Sequence, residues 1–164
     1  MARHLAQIVF LLYGFLLLRQ ARKGIRQFLL RTHRQEEYYR NRNSFWRGLL
    51  FLPFQKSLPP SVFYSHSLAT LLIPFSLAVS LLLGWFSFMT LPLKLLTALS
   101  LVLGGFSASL TVGINIQKER GRIFIFYQPA SEKSDRGFPF VSTALDFSLT
   151  ALLPLVMAIS NFTL

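Results

Sequence analysis

One acidic side chain stands inside an apolar run. Val141 to Leu164 is long enough to cross a bilayer, and its only charge is Asp146. A charge near mid-span costs about 2.5–3.5 kcal/mol even on the lenient insertion scale. Asp146 must therefore be protonated, paired or near the interface. Its functional reading is an intramembrane proton or cation site. The plainer reading is a structural hydrogen bond, or an acid at a helix start. His66, at the matching end of an earlier apolar run, is the partner the sequence offers, with Lys56 and Arg47 as others. A proton relay uses several ionisable groups, and the only other charge near the later spans, Lys94, falls at their opposite end.

Other chemistry is thin. His33 and Glu37 share a helical face, but a catalytic zinc site takes about three protein ligands. The chain has no cysteine, which removes disulfides, thiolate metal sites and cysteine nucleophiles. It holds no phosphate-binding glycine loop, no Gly-x-Ser-x-Gly elbow and no His-Glu-x-x-His stretch. The expectation is no metal, no cofactor and no enzyme. Asn161-Phe-Thr163 matches a glycosylation sequon, but within an apolar run it reads as accidental.

Small residues recur at four-residue spacing: Ser76, Ser80 and Gly84 in one run, and Gly105, Ser109 and Gly113 in the next. In lipid, helices associate by close packing, and small residues permit it. A short link around Pro92 makes these runs an antiparallel hairpin. Their ridges are expected to face each other, or one of them to meet another subunit.

The elements that would position these residues follow from composition. The chain has 164 residues, 52% hydrophobic and only 14% charged, yet its net charge is +11. A soluble domain carries roughly 25% charged residues, so a soluble globule is excluded. Disorder is excluded too, because disordered chains are poor in apolar and aromatic residues. Leu68–Thr90, Leu95–Val112 and Val141–Leu164 read as spans. Leu5–Leu18 is shorter, about 21 Å at a helical rise. It reads as a short anchor whose Arg3 and Arg19 snorkel. Arg-Gln-Ala-Arg-Lys follows it, which is no leader-cleavage site. Apart from Asp146, the spans offer almost no polar lining.

Charge orients the spans. Residues 19–47 carry nine Lys/Arg against Glu36 and Glu37, and residues 117–138 add a further excess. Basic loops stay on the cytoplasmic-equivalent side, so both segments are expected inside and both termini outside. With no proline before Pro53, the first helix is expected to continue to about Arg40, with Ile25, Phe28, Leu29 and Thr32 as an apolar stripe. Ser44–Phe54 suits the headgroup level. Residues 112–128, with alternating Ile and Phe around Lys118–Gly121, suggest a small β-hairpin.

The resulting expectation is an all-α polytopic integral membrane protein with three to four transmembrane helices and a basic cytoplasmic-side helix. Its parts are a short anchor at 1–18, a basic inside arm with an interfacial segment at 19–66, and a three-span domain at 67–164 with an inside loop at 117–138. A bacterial inner membrane and an organelle membrane fit equally. Arg19, Arg22, Lys23, Arg26, Arg31, Arg34, Trp46 and Arg47 are expected to contact anionic headgroups or an acidic partner; nucleic acid is the weaker fit. The functional expectation is a non-catalytic accessory or scaffold subunit of a larger membrane complex. The alternative is a homo-oligomeric channel or small transporter using Asp146.

Overall fold

The computed structural model describes residues 2–31, 45–86, 90–119 and 145–164. These form four long helices and one short corner: α1 (Ala2–Arg31), α2 (Phe45–Leu50), α3 (Pro60–Phe86), α4 (Thr90–Glu119) and α5 (Leu145–Thr163). All four long helices are long and apolar enough to cross a membrane.

α1 runs unbroken through the first basic residues. The reason is a second buried stripe beyond the apolar run. Ala21, Gly24, Ile25 and Leu29 recur at helical spacing and are all buried, while Arg19, Arg22, Lys23 and Arg26 stay exposed. The stretch of α1 that is long and apolar enough to cross a membrane is Arg3–Leu29, which includes the expected anchor and the first basic residues after it. Residues 32–40 of the expected extension lie outside the described residues.

Pro60 opens α3 at its first position, where a missing N–H is harmless. The Pro59 carbonyl accepts the N–H of Val62 and of Phe63, each at 3.0 Å.

α4 is the central helix and packs against α1, α3 and α5. It buries small and hydroxyl residues, among them Thr97, Ser100, Gly104, Ser107, Ala108 and Thr111. Leu91, Leu95, Leu99, Val102 and Phe106 point outward. The interior of the bundle is thus more polar than the expected lack of polar lining. Two of these four hydroxyls donate to a carbonyl one turn back on their own helix, while those of Thr97 and Ser107 have no partner among the described residues. Thr111 donates to Ser107 at 2.9 Å, and Ser100 to Leu96 at 2.7 Å. An apolar exterior around such an interior suits lipid as the solvent, where association rests on packing and hydrogen bonds rather than on apolar burial.

The expected hairpin at 112–128 is corrected in its first half. Val112–Glu119 continues α4 as helix, and residues 120–128 lie outside the described residues. A helix satisfies its backbone groups locally, whereas a lone two-stranded hairpin is marginal.

Of the segment expected at the headgroup level, residues 45–54 are described. α2 and the 3-10 turn Leu52–Phe54 fold back onto the protein. Phe51 and Phe54 are buried in a cluster with Ile25, Leu29, Leu58 and Val62.

Candidate functional site

The most distinctive local geometry lies at the start of α5. Ser148–Leu152 is a π-helical turn. Leu153 sends its N–H to the Ser148 carbonyl, five residues back. Pro154 follows and has no N–H. The Leu149 carbonyl therefore loses both donors that a helix would supply. The hydroxyl of Tyr13, on α1, donates to it instead. π-turns occur mostly as single-turn insertions within α-helices and are frequent at functional sites.

The same turn is seated on α4 by a glycine. A Cβ at Gly105 would lie 2.7 Å from the Thr150 carbonyl oxygen and 2.9 Å from Pro154. Thr150 is fully buried, and its hydroxyl donates to the Asp146 carbonyl at 2.6 Å. Asp146 is itself buried, at 5% exposure, and is engaged by neighbours rather than left as a lone charge.

Beside this turn a groove of about 290 Å³ opens between α1 and α5. Tyr13, Leu16, Leu17, Leu149 and Thr150 form its apolar part, and Arg19, Gln20 and Lys23 its polar end. Among the described residues no acidic side chain lines it.

A second polar corner lies where α1, α2 and α3 meet. Arg22 donates to the Gly48 carbonyl at 3.4 Å and sits over the Phe51 ring. His66 is buried against that ring, with Thr70 Oγ1 3.5 Å from its Nε2. His66 Nε2 faces Thr70 and its Nδ1 has no hydrogen-bond partner among the described residues, so no His66–Asp146 hydrogen bond is formed there.

The other residues singled out by sequence are distributed as follows. Ser76 hydrogen-bonds Ser100 across α3 and α4, so one small position of each helix does meet the other. Gly105 turns instead to α5, and the ridges do not face each other along their length. Ser80 and Ser109 are half-buried, and a Cβ at Gly113 would meet none of the described residues within 4 Å. Lys56 and Arg47 are exposed, and Arg26 has a partner. The side chains of Arg31, Arg34 and Trp46 and the surroundings of Gly84 fall outside the described residues.

Several contacts carried no sequence signal. Ile73 inserts between Gly14 and Gly104, 3.7 and 3.4 Å from where their Cβ atoms would be. Asn161 donates to the Lys94 carbonyl at 2.8 Å, and Lys94 Nζ donates to the Phe162 carbonyl at 3.4 Å. The proline of Leu-Leu-Pro154 was the one readable hint of the π-turn, since proline withdraws a helix donor.

Fold and site together define a class: a helical bundle whose described residues hold no strand and include four helices fit to span a membrane. No family model matches the chain, and neither a curated protein nor a solved structure does.

Proposed function

We propose that this protein is a non-catalytic accessory or scaffold subunit of a larger membrane complex. It would hold neighbours by helix packing and by basic-surface contacts to anionic lipid or acidic partners. The observation that supports this most directly is the surface left over once the bundle is packed. α3 turns Tyr64, Leu68, Leu71, Phe75 and Leu82 outward at helical spacing. On α4 the Gly105 end of the small-residue ridge is used internally, but no described residue would meet a Cβ at the Gly113 end. A glycine with free space beside it lets another helix approach closely.

Purification in a gentle detergent, followed by identification of co-purifying chains, tests the proposal. A defined set of other membrane chains in constant ratio is expected. A lone homo-oligomer would overturn it.

A second reading is a homo-oligomeric channel or small transporter using Asp146. It is favoured by the burial of Asp146 and by the hydroxyls of Thr97 and Ser107, which are buried without a hydrogen-bond partner among the described residues. Asp146→Asn separates the two readings in reconstituted vesicles. Intact assembly with lost ion or solute flux sinks the scaffold reading. Lost assembly with no measurable flux at any stage counts against the channel.

A further inference from the structure

We propose that the groove between α1 and α5 binds one anionic phospholipid, with its phosphate between Arg19 and Lys23 and the start of an acyl chain along Leu16 and Leu149. The inference rests on reading the chain as a membrane subunit with a lipid-contacting basic surface, and it narrows that surface to a single site.

The cations of α1 divide into two kinds. Arg22 is committed to Gly48 and Phe51, and Arg26 has a partner. Arg19 and Lys23 line the groove, and neither is engaged by any described residue. They lie one helical turn apart, a spacing at which like charges repel. An anion between them removes that repulsion. No acidic side chain among the described residues of the groove supplies one. Asp146, one turn before Thr150 on α5, is buried and already engaged.

Depth selects the kind of anion. Arg19 ends the uncharged run Leu5–Leu18, and the stretch Arg3–Leu29, 27 residues or about 40 Å at a helical rise, outruns a ~30 Å hydrocarbon core, so its charged part from Arg19 onward falls toward the headgroups. The groove is charged at that end and apolar at the other, where Leu16 is 59% exposed to the surroundings. A free phosphate would leave the apolar part empty. A volume of about 290 Å³ seats a headgroup phosphate and the first part of one chain, with the rest of the lipid in the bilayer. Gln20, half-buried between the two cations in sequence, adds an amide donor. Basic pockets between spans on the headgroup side bind phosphate headgroups by this combination.

The test uses the full chain in mild detergent, titrated with phosphatidylglycerol or phosphatidylcholine of the same chain length and followed by native mass spectrometry. Saturable retention of one phosphatidylglycerol is expected, with no comparable retention of phosphatidylcholine. Arg19→Gln with Lys23→Gln is expected to weaken retention about thirtyfold, the combined effect of two basic side chains at a lipid surface. Arg3→Gln with Lys56→Gln removes the same charge away from the groove and should leave retention unchanged. Equal retention of both lipids, equal loss in the two double variants, or displacement by inorganic phosphate or an acidic peptide would each overturn the site. The comparison of lipids on the native chain needs no variant, so misfolding of a variant does not protect the proposal. Failure here is distinguishable from failure of the scaffold reading: a lone homo-oligomer that retains one phosphatidylglycerol overturns only the latter.

Discussion

The guanidinium of Arg22 lies over the ring of Phe51, 5.6 Å from its centroid. The Phe51 ring in turn meets His66, with centroids 5.5 Å apart. Phe51 is also the only described non-glycine residue with positive φ, at 51°. A bulky residue in the left-handed region is strained, and it persists only where its surroundings over-determine it. Here they do: the ring is buried in the cluster that joins α1, α2 and the start of α3. Arg22, one of the exposed cations of α1, thus also ties this corner to α1.

Phe51→Ala is expected to lower stability by about 3–5 kcal/mol, the usual range for emptying a buried aromatic site. Phe51→Gly should be no worse than Phe51→Ala, although it is smaller. Glycine accepts a positive φ that costs an L-residue about 1–2 kcal/mol, which offsets its greater flexibility. Thermal unfolding in detergent ranks the two; a clearly less stable glycine variant would refute the strained corner. In the same assay Arg22→Gln should cost about 1 kcal/mol, and Arg19→Gln nothing measurable.

Gly105 and Gly113 belong to one ridge but should respond oppositely to alanine. Gly105→Ala places a methyl group against the Thr150 carbonyl and the Pro154 ring. Backbone and proline cannot rotate away, so a loss of about 1–3 kcal/mol is expected from overpacking. Gly113→Ala meets open space and gains helix propensity of up to about 1 kcal/mol in the isolated chain. Equal effects on the melting temperature would contradict this placement.

Tyr13→Phe strips the Leu149 carbonyl of its donor. Interhelical hydrogen bonds in membranes are worth about 0.6 kcal/mol on average and up to about 1.7. Pro154→Ala restores an N–H on the same helix, within reach of that carbonyl. The Tyr13→Phe change should therefore cost less on the Pro154→Ala background than on the native chain. A double-mutant cycle measures the difference, and strict additivity would show that the hydroxyl and the proline are unconnected.

Asn161 is expected to stay unmodified even where the chain is made in a glycosylating compartment. Its side-chain nitrogen, the atom a glycan would need, is buried and donates to Lys94. Peptide mass spectrometry should find Asn161 unmodified throughout. Asn161→Ala is expected to lower stability by about 1–2 kcal/mol through the orphaned end contact. Thr163→Ala, which also destroys the sequon, touches only an exposed hydroxyl bonded within its own helix and should change little.

The helical, span-forming character of this chain was readable in its residues. Long apolar runs at 68–90, 95–112 and 141–164, charged only at Asp146, leave a helix as the economical way to satisfy the backbone, and α3, α4 and α5 cover most of each run. The continuation of α1 was foreshadowed by Ile25, Phe28 and Leu29 at helical spacing. Hydropathy reports on a segment as a whole, however, and not on how a helix is turned about its axis. That turn was decided by steric fit between distant segments: Ile73 between Gly14 and Gly104, the Thr150 carbonyl over Gly105, Ser76 against Ser100. In an apolar solvent no general burial force orients a helix, so small-residue contacts and single hydrogen bonds choose its face. The same holds for the corner at Phe51, whose aromatic composition suits a headgroup layer equally well until α1 and α3 stand close enough to enclose it. Residue types alone therefore determined that the chain builds membrane-length helices with a basic segment. Only the tertiary structure decided which cations are spent on the fold and which two, Arg19 and Lys23, are left facing a groove.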